Sequence, residues 1–154
     1  MTAIDTNILV YAHREESDWH ERAATSVAAL AESSQEWAIP WPCLHEFLAI
    51  VTHPRIFRTP TPVDLAVGQI DAWLESPSLV VLSENDEYPG RLREVLLQAR
   101  VTGARVHDAR VAALCLSHGV RELWSADRDF SMFRELKLRN PLVGLEPLRS
   151  RMST

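Results

Sequence analysis

The chain has 154 residues, of which 46% are hydrophobic and 24% are charged, with a formal net charge of -5. A chain of this length can bury a substantial core without disulfide bonds, so one domain is expected, with Cys43 and Cys115 as free thiols inside it. There is no secretory leader pattern and no apolar run near the roughly 18 residues that a membrane span needs. We therefore expect a cytoplasmic protein with no membrane partner.

The first half of the chain alternates short apolar runs with amphipathic stretches. These predict, in chain order, a strand at residues 1–4, a helix beginning at residue 7, a helix over residues 22–31, a strand at residues 37–41 and a helix over residues 42–51. Asp18 and Glu21 have the spacing of a capping box before the second helix. Pro42 fits the first turn of the third helix.

The second half begins with a proline-rich segment, residues 53–62, that predicts a loop. It is followed by a helix over residues 61–73, a strand at 79–82, a helix over 87–101 with an interruption at Pro89 and Gly90, a helix over 106–116 and a strand at 123–124. Trp41 and Trp124 lie on predicted strands and are expected in the core.

The alternation of strands and helices predicts an α/β fold, with a mostly parallel central sheet flanked by helices on both faces. We assign residues 1–147 to this single domain. Residues 148–154 are expected to form a flexible tail.

Four acidic residues occupy equivalent places in this pattern: Asp5, Glu46, Asp108 and Asp127 each stand at the end of an apolar run or the opening of a helix. The carboxyl ends of parallel strands form the ligand-binding edge of such a sheet, so the four side chains are expected to meet. At about 5 Å they would repel by roughly 3 kcal/mol per pair, which a cation would relieve. Oxygen ligands favour Mg²⁺ or Mn²⁺. A single acid here is usually a helix cap, but the recurrence favours a shared site.

Together these residues resemble the PIN domain, and more narrowly the VapC-type toxins of bacterial VapBC toxin–antitoxin pairs. The motifs that carry the resemblance span nearly the whole chain and are Asp5-Thr6-Asn7, the helix with Glu46, Val106-His107-Asp108-Ala109, and Ser125-Ala126-Asp127-Arg128-Asp129-Phe130. The resemblance implies a metal-dependent endoribonuclease acting on RNA.

The resemblance also implies roles for individual residues. Those implied to hold Mg²⁺ or Mn²⁺ and to carry catalysis are Asp5, Glu46, Asp108 and Asp127, with Asp129 as an accessory acid. Thr6, Asn7 and Ser125 are implied to be polar supports. The loop after the acidic helix looks like the variable loop of many VapC toxins, so Arg55, Phe57 and Arg58 are expected to contact RNA. The alternative is a solvated loop that Phe57 anchors.

The implied partners are a small VapB-like antitoxin that blocks the acidic pocket, and DNA only through that antitoxin. We expect the antitoxin to dock between the helices at residues 23–30 and 65–74. A homodimer is expected through the helices around Val95 and Val111.

Two other functions stay open: a catalytically silent PIN fold that serves as a binding or regulatory module, and a DNA-directed PIN-like nuclease. The complete acid set disfavours the first, and the lack of an added domain or basic arm disfavours the second. A zinc-protease site is unsupported, because Ala49 stands where the motif that begins at His45-Glu46 requires a second histidine.

Overall fold

Five short strands form one parallel sheet at the centre of the molecule. In the computed structural model, which describes residues 1–143, the strands are β1 (Thr2–Ile4), β2 (Trp37–Pro40), β3 (Leu79–Leu82), β4 (Glu122–Trp124) and β5 (Lys137–Arg139). Their order is β3-β2-β1-β4-β5, and each neighbouring pair is parallel. The predicted α/β fold is therefore confirmed. The tail predicted at residues 148–154 lies outside the described residues.

Helices connect these strands. Within the described residues they are α1 (Thr6–His13), α2 (His20–Glu32), α3 (Trp41–Val51), α4 (Val63–Leu74), α5 (Tyr88–Gln98) and α6 (Val106–Ser117), with two 3-10 helices at Gly103–Arg105 and Arg128–Met132. None of the helices among residues 1–143 has the length and hydropathy to cross a membrane.

The strand order reverses at β1. The chain moves from β1 through β2 to β3 at one edge, and then crosses back to β4 on the other side of β1. Because crossovers between parallel strands are right-handed, the connections running in the two directions cover opposite faces of the sheet. The contacts agree: α1 packs on α2 and α3, and α3 on α4, whereas α5 packs on α6. The crevice outside the carboxyl ends of β1 and β4 is thus the switch point where such folds bind ligands.

The core follows the predicted apolar pattern in most places. Trp37 and Phe47 are fully buried, and Cys43 and Cys115 are free and buried, as expected. The expectation for Trp41 is wrong: β2 ends at Pro40, and Trp41 begins α3 with 41% of its surface exposed.

Three local predictions also differ from the structure. Trp19 is the N-cap of α2 and no side chain caps that helix, so the capping box is absent. Pro89 lies in the first turn of α5 and does not interrupt it, because a first-turn N–H has no intrahelical partner and its loss costs little. Strand β5 was not predicted, since Lys137–Arg139 carries little apolar signal and forms by pairing with β4.

Candidate active site

Asp5 lies at the switch point of the sheet. It directly follows β1, and Ser125 directly follows the neighbouring strand β4. The backbone N–H of Asp5 donates to the carbonyl oxygen of Trp124 at 2.9 Å, which continues the pairing of the two strands. Residues that are 120 positions apart in the sequence therefore meet at one edge of the sheet.

The carboxylate of Asp5 is buried and accepts three hydrogen bonds. Ser125 Oγ and Asn7 Nδ2 donate to its Oδ2 at 2.7 and 3.3 Å, and Cys43 Sγ donates to its Oδ1 at 3.5 Å. Burial raises the pKa of Asp5 from 3.8 to about 6; the Ser125 and Cys43 hydrogen bonds oppose this rise, and the charge of Glu46 adds to it. The folded chain therefore holds a carboxylate whose negative charge is unfavourable.

Asn7 and Ser125 hold the ends of β1 and β4 together. Asn7 accepts from the backbone N–H of Ala126 at 3.0 Å and donates to Ser125 Oγ at 3.1 Å. Ser125 Oγ accepts from the backbone N–H of Asp127 at 3.0 Å. The two side chains thus fix the segment after β4 against the start of α1, as supports of Asp5 would.

Glu46 reaches the same edge from α3. It lies in the second turn, exposed, and its Oε2 accepts a hydrogen bond from Thr6 Oγ1 at 3.1 Å. Thr6 follows Asp5 directly, so this bond draws the Glu46 carboxylate toward the end of β1.

Cys43 is a site residue that the sequence reasoning missed. It lies on α3 one turn before Glu46, and burial raises the pKa of its thiol well above the ordinary value, which keeps it a neutral donor to Asp5. The spacing of Cys43 and Glu46 could have identified it. Residues three apart lie on the same face of a helix, so Cys43 faces the same edge of the sheet as Glu46.

Asp108, Asp127 and Asp129 form the other side of the site. Burial raises the pKa of Asp108, in the first turn of α6, and the charges of Asp127 and Asp129 raise it further, while Arg105 opposes the rise. Asp127 Oδ1 caps the second 3-10 helix by accepting from the backbone N–H of Asp129 at 2.9 Å. Asp129 pairs with Arg105 at 3.3 Å.

These acids surround an open cleft of about 520 Å³. Asp5, Glu46 and Asp108 line it, together with His45, His107 and Arg110. Asp127 and Asp129 are not in this wall, but they lie near enough to Asp108 for their charges to raise its pKa. The structure thus brings the predicted acids to one place, in two groups: Asp5 with Glu46, and Asp108 with Asp127 and Asp129.

The donor set fits a hard divalent cation in part. Among residues 1–143, no three His, Cys, Asp or Glu side chains are grouped closely enough to hold a metal ion by themselves. Mg²⁺, however, keeps several waters and takes only one or two protein carboxylates directly. The three carboxylates in the cleft wall, two of which have a raised pKa, meet that lower requirement.

The loop at residues 53–62 lies apart from the cleft. Arg55, Phe57 and Arg58 are not in the cleft wall, and the five steps from Glu46 to Val51 already span about 7.5 Å along α3. Arg14 covers the Phe57 ring at 4.0 Å, so this aromatic anchors the loop. Arg55 and Arg58 are exposed, and their contact with RNA stays a prediction.

Comparison with known proteins defines the class. The sequence matches the PIN domain family over residues 2–136. It is 33% identical to the VapC ribonuclease Mb2897 of Mycobacterium bovis over 144 residues, which cover 94% of this chain and 97% of that protein. The chain therefore belongs to the PIN-domain family, in its VapC-type branch.

Solved structures show the same fold. VapBC2 of Rickettsia felis, bound to a DNA fragment from its promoter, superposes with a TM-score of 0.64 at 20% identity, covering 90% of this chain and 97% of that one. VapC20 of Mycobacterium tuberculosis, a toxin that cleaves the sarcin-ricin loop, superposes with a TM-score of 0.63 at 18% identity, covering 89% and 99%.

Proposed function

We propose that this protein is the toxin of a type II toxin–antitoxin system and cleaves RNA as an Mg²⁺- or Mn²⁺-dependent endoribonuclease. The observation that carries the proposal is the convergence of Asp5, Glu46 and Asp108 on one cleft at the switch point of a PIN fold. The relatives' names support the substrate, since one is a VapC ribonuclease and another cleaves an RNA loop.

The site residues have two roles. Some would bind the cation, and the others orient the carboxylates that bind it. One or two of Asp5, Glu46 and Asp108 would bind the cation directly and the others through its waters, and Asp127 and Asp129 add negative charge beside them. Ser125, Asn7 and Cys43 orient Asp5, while Thr6 orients Glu46.

When bound, the cation would polarise the scissile phosphodiester and lower the pKa of a water. Hydrolysis then needs no nucleophilic side chain. Burial, helped by neighbouring carboxylates, raises the pKa of Asp5 and of Asp108, and a bound cation would favour the charged form that this environment disfavours.

The antitoxin is the second part of the proposal. A cleft with this much negative charge can be blocked by an arginine that pairs bidentately with a carboxylate. Outward-facing apolar side chains on α4, among them Val63, Leu65 and Val67, give an apolar helix of the antitoxin a surface to pack on. The R. felis VapBC2 complex is bound to promoter DNA. We expect this protein to contact DNA in the same way, as part of a complex and only through its antitoxin.

The homodimer and the cytoplasmic location stay predictions. Val95 and Val111 are buried within the chain, so contacts between copies would use their exposed neighbours, such as Leu97 on α5. A role in cutting cellular RNA requires the cytoplasm.

The test measures cleavage of RNA by the purified protein with Mg²⁺, with Mn²⁺ and with EDTA. We expect metal-dependent cleavage that Asp5→Asn, Glu46→Gln, Asp108→Asn and Asp127→Asn each abolish. The control is Asp71→Asn, which removes an exposed acid on α4 and should cleave like wild type. Cleavage that survives EDTA, or that persists in both Asp5→Asn and Asp108→Asn, would refute the mechanism.

The same assay separates the remaining alternatives. A silent binding module would cleave neither RNA nor DNA, and a DNA-directed nuclease would cleave DNA in preference. Expression in bacteria tests the toxin role: growth should stop with the wild-type chain, continue with Asp5→Asn, and recover when the small open reading frame beside the gene is co-expressed.

A further inference from the structure

A second cavity, of about 290 Å³, adjoins the acidic cleft. Trp41, Ser83 and Glu84 are in its wall, and Pro42 and Arg110 belong to the walls of both cavities. The two spaces are therefore adjacent and meet at these two residues. The smaller one lies at the lower end of the size range of small-molecule pockets, which suits one planar ring system.

The sheet places this cavity on the same edge as the acids. Trp41 directly follows β2 and Ser83 directly follows β3, and the last residues of the two strands, Pro40 and Leu82, are paired. Strand β2 also neighbours β1, whose end carries Asp5. Since neighbouring strands lie about 5 Å apart, the cavity begins one strand away from the site of the proposed chemistry.

Trp41 presents an aromatic surface at this edge. It is 41% exposed, and its ring lies 5.8 Å from the ring of His45 with an angle of 34° between the planes. His45 lines the acidic cleft. The indole thus stands between the cleft and the second cavity with part of its surface open to a ligand.

Arg110 supplies positive charge at the junction of the two cavities. Its side chain is exposed and hydrogen-bonds with Tyr88, a buried residue at the start of α5. An RNA backbone that approaches the acids would pass this guanidinium. Its planar geometry matches the oxygens of a phosphate group.

We propose that Trp41 and Arg110 form a nucleotide subsite beside the acidic cleft. An unpaired base of single-stranded or looped RNA stacks on Trp41, and Arg110 contacts the phosphate between that base and the scissile position. An exposed aromatic next to a cation is the combination with which proteins bind unpaired bases. Ser83 and Glu84 offer hydrogen-bond partners to the base edge, which gives the subsite a means of selection. This inference rests on the proposed ribonuclease function.

A protein partner fits this place less well. Trp41 is a single exposed ring, because Leu82 and Leu114 in the same cavity wall are buried, whereas a protein-docking surface needs a larger contiguous apolar patch. The position of Arg110 in the walls of both cavities favours the substrate.

The experiment measures RNA binding in the Asp5→Asn background, where no cleavage is expected. The probe is a fluorescein-labelled 12-nucleotide single-stranded RNA of mixed sequence, with the same sequence as a duplex for comparison. We compare Trp41→Ala, Trp41→Phe and Arg110→Gln. The matched control is Trp19→Ala, because Trp19 is 38% exposed but lines neither cavity.

Trp41→Ala should weaken binding of the single strand by about 5- to 150-fold, the range found for loss of one base–aromatic stack. Trp41→Phe should keep most of the affinity, and Trp19→Ala all of it. Arg110→Gln should weaken binding and reduce the slope of log K against log salt by about one. The duplex should not distinguish Trp41→Ala from its parent, since its bases are already stacked.

Two results would overturn the subsite and differ from failure of the proposed function. If Trp41→Ala and Arg110→Gln each bind the single strand like their parent while wild type cleaves RNA with metal, the subsite is refuted and the nuclease stands. If Trp41→Ala changes only self-association or antitoxin binding, the ring is a protein contact and the subsite is also refuted. If wild type neither binds nor cleaves RNA with metal, the proposed function itself fails. Should Trp41→Ala not fold, Arg110→Gln in an otherwise wild-type chain still decides, because an unchanged kcat/KM for single-stranded RNA contradicts the contact between Arg110 and the phosphate.

Discussion

Replacing Asp5 with asparagine should stabilise the metal-free protein while it destroys activity. Burial is the main cause that raises the pKa of Asp5 from 3.8 to about 6, and a rise of this size corresponds to about 3 kcal/mol at neutral pH. Asparagine is uncharged and nearly the same size. Its carbonyl oxygen can accept from Ser125 and Asn7 as Oδ2 does now, and its amide can point at the sulfur of Cys43, a weak acceptor.

The sign of the pH dependence follows from the direction of the shift. Because the folded-state pKa lies above the unfolded-state value, the folded chain binds the proton more tightly. Its free energy of unfolding therefore falls as the pH rises from about 4 to about 6, and the full cost is present above that range. Asp5→Asn removes this cost. Part of that gain is offset because the asparagine amide meets only the weak acceptor sulfur of Cys43, so the advantage over wild type should be about 2 kcal/mol at pH 7.5 and below about 1 kcal/mol at pH 4.

The assay is urea unfolding of both proteins at pH 7.5 and pH 4 in EDTA, with thermal melting as a second measure. A gain of 2 kcal/mol corresponds to a rise in Tm of about 4–8 °C for a chain of this size. Asp71→Asn, which removes an exposed charge, should change stability by less than about 0.5 kcal/mol. The reasoning is refuted if Asp5→Asn is no more stable than wild type at pH 7.5, or if its gain is the same at both pH values.

Three further outcomes are expected. Asp108→Asn should raise the metal-free Tm, because burial and neighbouring carboxylates raise the pKa of Asp108. It should also reduce the rise in Tm that Mn²⁺ produces. Equal rises in mutant and wild type would show that Asp108 is not a ligand. Cys43→Ala should weaken Mn²⁺ binding about tenfold, because it removes a hydrogen bond that orients the Asp5 carboxylate. Cys43→Ser keeps a donor and should bind Mn²⁺ like wild type. If the two variants bind Mn²⁺ alike, Cys43 does not orient Asp5. Arg55→Ala combined with Arg58→Ala should flatten the salt dependence of RNA binding without changing metal affinity, and unaltered cleavage kinetics would move recognition away from that loop.

The sequence by itself determined the fold class and the order of the acids. Apolar runs of two-residue and 3.6-residue period are local signals, and they identified β1 to β4 and most of the helices. Asp5 and Asp127 could be grouped because parallel strands end at one edge, whichever strands neighbour each other. Asp108 was included because it stands at the opening of a helix, although no strand directly precedes that helix. The position of Glu46 on a helix that starts there was predictable for the same reason.

The strand order and the environment of each side chain were decided only by tertiary structure. Strand β5 exists because β4 has an edge to pair with, and Lys137–Arg139 carries little local signal of it. The bond from Cys43 to Asp5 joins positions 38 apart, and the stacking of Arg14 on Phe57 joins α1 to a distant loop. Trp41 was expected in the core as the last residue of a strand. In the structure β2 ends one residue earlier, at Pro40, and Trp41 begins α3 at the surface. Burial, and with it the raised pKa values of Asp5 and Asp108, depends on what packs from elsewhere in the chain, and a local pattern does not contain that information.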